Sequence, residues 1–361
     1  MTALAERYSP SGVLKRRMRQ AVDVACRGSG LLRWSELRMR RGLTILMYHR
    51  VLPLESCRTY PLESLVIPVD VFDRQMAWLA GNFAVLPVRE ALEQLAETAM
   101  PDRPFVAVSF DDGYADNHVH AAPVLARHGL RGTFFVTTGF VESGEPTWFD
   151  RAADLWTHLD DQRRSEVMGR LVDALESSSA EAGARAANAG SPDIGAWMAG
   201  LKKLSVADRE RFLALAEPVA IETMEPGLYA PMTPIQVTEL HQQGHEIASH
   251  SVSHPILTRV DDGQLSAELR NSRERLAEWT GAPVTGLCYP NGDCDRRVIT
   301  AAREAGYSYG CATSSGVNLP GQEVFSLHRR SITMHRTMRA DGGHDAAGFR
   351  GEVSGLRDWW R

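Results

Sequence analysis

A chain of 361 residues with 43% hydrophobic content can form one large domain or two ordinary ones and can fill a sizeable core. Charged residues at 24% exclude the composition of a disordered chain, and no apolar run is long enough to span a bilayer. The net charge of -5 is unevenly spread: residues 1–41 hold ten Lys/Arg against Glu6, Asp23 and Glu36, a net of +7, which leaves -12 for the remainder.

In chain order the basic leader comes first. Lys15-Arg16-Arg17-Met18-Arg19, with Leu31, Leu32, Trp34 and Leu37 nearby, forms either an amphipathic helix on an anionic membrane surface or a solvated helix packed loosely on the domain. Nothing further along adds the basic face that a nucleic-acid partner requires. The first 30 residues lack the continuous apolar segment of a secretory signal. The cysteines Cys26, Cys57, Cys288, Cys294 and Cys311 are scattered, with no C-x-x-C pair and no disulfide spacing. A cytoplasmic location is expected, with any membrane-peripheral contact made through residues 1–41.

From Leu43 onward, short apolar runs alternate with helical patterns, as strands and crossover helices of a parallel sheet or barrel do. Leu43–Tyr48 reads as a strand, and Asp70 reads as the N-cap of a helix through Met76, Leu79 and Ala80 that stops at Gly81. Phe105–Phe110 is the next strand, followed by a helix to His128 with Gly129 behind it, then a strand at Thr133–Val136. At about 150–230 the rhythm breaks into helical patterns at 155–175, 197–204 and 206–215, a helical insertion. Thr233 as a cap and Pro234 at the first helical position open the next helix, and Gly244 closes it before the strand Glu246–Ser249. Leu265, Leu269, Leu276 and Trp279 mark a helix, 284–289 a strand, Arg296–Glu304 a helix with Gly306 after it, and 308–312 a strand. The predicted architecture is α/β, a distorted (β/α)7-type barrel over residues 42–340 with the insertion, a leader at 1–41 and a tail at 341–361. No glycine-rich phosphate fingerprint follows the first strand, so a dinucleotide fold is not indicated.

In a barrel, chemistry belongs on the loops after the strand C-terminal ends. Four polar clusters fall there: Met47-Tyr48-His49, Ser109-Phe110-Asp111-Asp112-Gly113, Ser249-His250-Ser251-Val252-Ser253-His254, and Cys288-Tyr289-Pro290-Asn291-Gly292. Adjacent carboxylates at a strand end point in different directions, so of Asp111 and Asp112 one can bind a metal while the other faces a water; an N-cap pair beside a turn is the plainer alternative. His250 and His254, four apart, place two imidazoles on one side of a helical turn or a compact loop and suit a borderline metal. With Asp112 they make three protein ligands and leave positions open, as in a catalytic site.

These residues resemble the polysaccharide deacetylases with the NodB-homology domain, carbohydrate esterase family four. Ser109-Phe110-Asp111-Asp112-Gly113 is similar to that family's T/S-F-D-D-G motif, and His250-Ser251-Val252-Ser253-His254 to its H-S/T-x-x-H motif, within a match covering residues 42–140 and 230–335. The resemblance implies Asp111 as general base and Asp112, His250 and His254 as ligands of a divalent metal, zinc in the usual case, with cobalt or nickel able to replace it. It also implies an acetylated glycan as substrate. The third motif departs from R-x-P-Y: Cys288 stands where the arginine that orients the base would be, and Asn291 where the tyrosine would be. Tyr289-Pro290-Asn291-Gly292 resembles instead the Tyr-Pro-x-Gly of a branch that includes exopolysaccharide and poly-N-acetylglucosamine deacetylases, which implies an oxyanion contact from the Asn291 backbone N–H and substrate contacts from Tyr289 and Pro290. Two histidines compete for general acid: His49, similar to the early histidine of circularly permuted members, and His328, in a degraded late motif where Arg329 departs from the pattern. His49 is favoured. Trp148, in Trp148-Phe149-Asp150, either offers an aromatic face to a sugar or packs at the base of the insertion. The expected function is metal-dependent removal of acetyl from an N-acetylated sugar in a polysaccharide or lipid-linked glycan; an O-acetyl esterase and a non-catalytic carbohydrate-binding or scaffolding barrel are the alternatives.

Overall fold

The computed structural model describes residue 39 and residues 41–97, 101–178, 193–216, 227–339, 343–356 and 358. The expectations for the leader therefore lie almost wholly outside the described residues. Among those described, no helix is long and apolar enough to cross a membrane.

Seven short strands form the barrel wall: β1 (Leu43–Tyr48), β2 (Phe105–Phe110), β3 (Thr133–Val136), β4 (Glu246–Ser249), β5 (Gly286–Cys288), β6 (Tyr309–Cys311) and β7 (Arg329–Ser331). All pair in parallel in the order β7-β1-β2-β3-β4-β5-β6. The two ends of this order nearly meet, because Leu327 N–H donates to Gly310 O and Ala312 N–H to Leu327 O, each at 2.9 Å. Alternate residues face opposite sides of each strand. Ile45, Ala107, Phe135, Ala248, Cys288 and Cys311 meet in one cluster in the lumen, while Leu46, Val108, Phe134, Ile247 and Leu287 pack into a second cluster with the surrounding helices. The expected barrel is present.

Besides short helices at Leu54–Thr59, Thr138–Ser143 and Met334–Thr337, the described residues form α1 (Val69–Asn82), α2 (Val88–Glu97), α3 (Ala122–Arg127), α4 (Trp148–His158), α5 (Asp161–Ser178), α6 (Ile194–Leu201), α7 (Val206–Ala216), α8 (Pro234–Gln242), α9 (Asp262–Thr280), α10 (Arg296–Glu304) and α11 (Ala346–Ser354). Several readings change. The cap of α1 is Pro68, without a side-chain bond, and Asp70 lies in the first turn, where its charge complements the helix dipole. The pattern at 155–175 is two helices, α4 and α5, broken at Leu159. The helix expected to run to His128 begins with a π-helical turn at Asn117–Ala121. Strands β5 and β6 are shorter than 284–289 and 308–312, and β7 had no counterpart among the predicted strands. The region 341–361 is not simply a tail: α11 buries Phe349 and Val353 in the main core.

The insertion has its own core, in which Trp156 and Trp197 stack at 5.5 Å and Trp197 Nε1 donates to Ala152 O at 2.9 Å. Asp150 ties it to the barrel, accepting from Tyr60 and Tyr114 hydroxyls at 2.7 Å each and from Thr147 Oγ1 at 2.8 Å. The Arg50 guanidinium lies 4.5 and 4.1 Å from the centres of those two tyrosine rings. These contacts set where the first insertion helix crosses the barrel mouth.

Candidate active site

Loops from β2, β4 and β5 converge at the C-terminal end of the barrel, and their backbones are unusual. The non-glycine residues with positive φ among those described are Asp112 (75°), Ser251 (67°), His254 (54°) and Asn291 (61°), all in these loops. Such conformations cost energy and persist where surrounding bonds enforce them. Here Thr137 N–H donates to Asp112 O at 3.1 Å, Thr138 N–H to Ser251 O at 3.2 Å and Gly139 N–H to Val252 O at 2.8 Å. Glu268, from α9, holds the other side of the β4 loop, accepting from Val252 and Ser253 N–H at 2.7 and 3.0 Å. Gly139 has to be a glycine, since an added Cβ would lie 2.6 Å from Val252 O.

The left-handed turn at Asp112 sends the two carboxylates apart. Asp112 Oδ1 lies 3.5 Å from Nε2 of both His250 and His254. That is about the span of two donors sharing one tetrahedral cation at roughly 2.0–2.2 Å. His250 Nδ1 bonds the Cys288 carbonyl at 2.8 Å, which fixes the tautomer and leaves the Nε2 lone pair facing Asp112. Burial lowers the pKa of both imidazoles, while burial and the carboxylates of Asp111 and Asp150 push the Asp112 carboxyl well up. Two neutral imidazoles and a carboxylate in need of a counter-charge are a donor set that fits a divalent metal. The rings of Phe149 and His254 meet edge to face with centroids 5.1 Å apart, so the insertion touches the group of Asp112, His250 and His254 directly.

Asp111 takes the other direction, into the lumen. Burial raises its pKa, but Arg329, His250 and His49 more than offset it and hold the carboxyl well below the usual range. Arg329 Nη1 and Nη2 donate to its two oxygens at 2.6 and 2.8 Å, a bidentate pair that is fully buried. Arg329 starts on β7, in register with Ile45 of β1, and rises through a lumen kept open by small side chains. Its Nε donates to Ala312 O at 2.9 Å, and Nη2 lies 2.9 Å from the Cys288 sulfur. Cys288 therefore does not leave Asp111 without an arginine: the guanidinium arrives from another strand, and the small thiol makes room for it. Sequence reading missed this role because Arg329-Arg330 looks polar, while its strand is only three residues long.

His49 follows β1, and its Nε2 stands 3.9 Å from Asp111 Oδ2. Burial is the main cause that lowers its pKa to about 4, against the pull of Asp111. His328 bonds Ser314 Oγ at 2.8 Å and does not line the cavity that holds the other groups. That cavity, about 790 Å³, is bounded by His49, Asp111, Asp112, His250, His254 and Asn291 on the barrel side and by α4 to α6 of the insertion on the other. Asn291 Oδ1 accepts from Lys202 Nζ at 2.6 Å, a contact from the insertion that sequence reading did not foresee. Tyr289 lines the cavity, with its ring buried and its hydroxyl donating to Phe325 O at 2.9 Å, whereas Pro290 is not among the lining residues. Trp148 packs in the insertion core and also lines the cavity.

Against known proteins, the family model described as polysaccharide deacetylase matches residues 99–180 and 218–310. The Bacillus subtilis (strain 168) protein YxkH, provisionally named a polysaccharide deacetylase, is 22% identical over 343 residues, covering 95% of this chain and 90% of its own length. Among solved structures, the Streptococcus pyogenes deacetylase PplD in complex with acetate aligns over 81% of this chain and 92% of its own, with 19% identity and a TM-score of 0.54. A de-N-acetylase from Aggregatibacter actinomycetemcomitans aligns over 85% and 99%, with 15% identity and a TM-score of 0.52. At these identities the structures share the fold.

Proposed function

Since the chain carries a polysaccharide deacetylase domain, we propose that it hydrolyses the N-acetyl group of a hexosamine in a glycan, using a divalent cation held by Asp112, His250 and His254. The observation that carries this reading is the pair of functions split between adjacent carboxylates at one cavity: Asp112 beside two imidazoles, Asp111 clamped by Arg329. Zinc suits two imidazoles and one carboxylate best, and cobalt or nickel suits the same set. When bound, such a cation polarises the acetyl carbonyl and lowers the pKa of water toward about 7.

The residues supply the rest. Asp111, kept ionised and fixed in direction by Arg329, accepts a proton from the attacking water. The water oxygen bonds to the acetyl carbon, and the backbone N–H of Asn291 faces the developing oxyanion. As the C–N bond breaks, the nitrogen needs a proton. His49, 3.9 Å from Asp111 and neutral at rest, takes up the proton that Asp111 has received from the water and passes it to that nitrogen. Acetate and a free amine leave. The non-catalytic alternative was motivated by Cys288 in place of an arginine, and Arg329 on Asp111 removes that motive.

Acetate release from N-acetylated and O-acetylated oligosaccharides, by metal-reconstituted protein with and without chelator, tests the reading. Chelator-sensitive release from the N-acetylated set supports it. Release from the O-acetylated set alone would make the protein an esterase.

A further inference from the structure

The insertion wall of the cavity has a polarity gradient. Ile194, Met198 and Lys202 are spaced four apart along α6 and its end, and all three line the cavity. At about 1.5 Å per residue the stripe runs about 12 Å. Its charged end is at the reaction centre, where Lys202 Nζ donates to Asn291 Oδ1 at 2.6 Å. At its apolar end Ile194 and Met198 share the cavity with half-buried Leu62 and Leu65, among polar lining residues that include Glu63, Ser64 and Arg164. Aliphatic walls offer nothing to the hydroxyls of a neighbouring sugar unit, whose burial without partners is costly. They do suit a hydrocarbon chain. A second sign of a ligand is Trp148, buried on this wall, whose indole N–H has no hydrogen-bond partner among the described residues. It is a donor free for a sugar hydroxyl or a phosphate oxygen.

We propose that the substrate is an N-acetylated hexosamine joined through a phosphate ester to a long hydrocarbon chain, with the acetamido group at Asp112, His250 and His254, the phosphate at Lys202 and the chain along Met198 and Ile194. This deepens, and rests on, the deacetylase reading above. Lys202 balances the anionic charge, and the stripe beyond it removes the apolar chain from water.

The test uses the full, metal-loaded chain and compares kcat/KM for acetate release from farnesyl-phosphate-linked N-acetylglucosamine, from N-acetylglucosamine 1-phosphate and from N-acetylglucosamine trisaccharide, below the lipid's micelle concentration. The lipid-linked sugar is expected to exceed the 1-phosphate by about tenfold or more. Met198→Gln should compress that ratio, and Lys202→Met should compress the ratio of the 1-phosphate to an uncharged methyl glycoside. A trisaccharide hydrolysed as efficiently as the lipid-linked sugar, or ratios that neither variant moves, would overturn the proposal. If no substrate releases acetate, the deacetylase reading fails by itself. Calorimetric binding of the lipid-linked sugar and the trisaccharide then decides the inference: tighter, Met198-dependent binding of the lipid supports it, and equal or weaker binding overturns it.

Discussion

The two walls of the cavity are built on different principles. On the barrel side, donors and carboxylates are held by backbone: the positive-φ loops after β2 and β4 are both pinned by main-chain bonds to residues 137–139 behind β3, and Asp111 is clamped by a buried guanidinium. On the insertion side, ordinary helices present side chains, and the wall is shaped by packing around Trp156 and Trp197. Rigid backbone suits chemistry, where small displacements of a base or ligand cost rate; packed helices suit selection, where side chains can differ without disturbing the reacting atoms. Damage to the barrel wall should abolish turnover, and damage to the insertion wall should change which substrate is handled and how tightly.

The largest expected effect is at the ligand set. Asp112→Ala and His254→Ala should lose the bound cation and reduce turnover by about 10³-fold or more, measured as metal content and acetate release on one preparation. Metal retained in His254→Ala would move the ligand assignment elsewhere. Asp111→Asn comes next: metal should stay while turnover falls by about 10²–10⁴-fold, the range of a lost general base. Loss of metal there would merge the two carboxylate roles.

Arg329→Met leaves the Asp111 carboxylate buried without its partner, and stability should drop by about 3–5 kcal/mol in a denaturant titration. Arg329→Lys should fail to restore turnover, because an ammonium cannot make the bidentate contact. Full activity in Arg329→Lys would reduce the clamp to a simple charge. On the other wall, Trp197→Ala should raise KM by about tenfold with metal content intact, since it loosens the insertion core without touching the ligands. A fall in kcat with KM unchanged would mean that the walls are not separable.

The smallest effect is one of pH and lies outside both walls. His245, buried, accepts from Gly132 N–H at 3.1 Å, and burial together with Arg131 lowers its pKa to about 4. The unfolded chain, with its histidine near 6.5, then binds a proton that the folded protein does not. Stability should rise with pH between about 4 and 6.5, by up to about 3 kcal/mol for this group, and His245→Gln should flatten that slope. An unchanged slope in His245→Gln would assign the dependence to the buried site histidines His49, His250 and His254, which shift in the same direction.

Much of the barrel was legible from local pattern. Strands such as Phe105–Phe110 and Glu246–Ser249 are short apolar runs bounded by turn residues, and the capping box of Thr233 with Gln236 marks its helix outright. Helix 155–175 was misread as continuous because its apolar periodicity runs through the break at Leu159. Strand Arg329–Ser331 was missed because two arginines in three residues do not resemble a buried strand, although both are buried. The tail was misread because Phe349 and Val353 are too few to signal a helix until the core they complete is in view.

By itself the sequence determined the groups that act within a few residues of one another: the Asp111-Asp112 pair at a strand end and the two histidines four apart, whose geometry is set by their own loops. Tertiary structure decided what depends on register across the barrel. Arg329 reaches Asp111 from 218 residues away only because β7 pairs with β1 beside β2, and Tyr289 turns into the wall because its hydroxyl finds the Phe325 carbonyl there. Local chain geometry fixes the first kind of contact. The second kind exists only once non-local strand pairing has placed distant residues at the same height in one lumen.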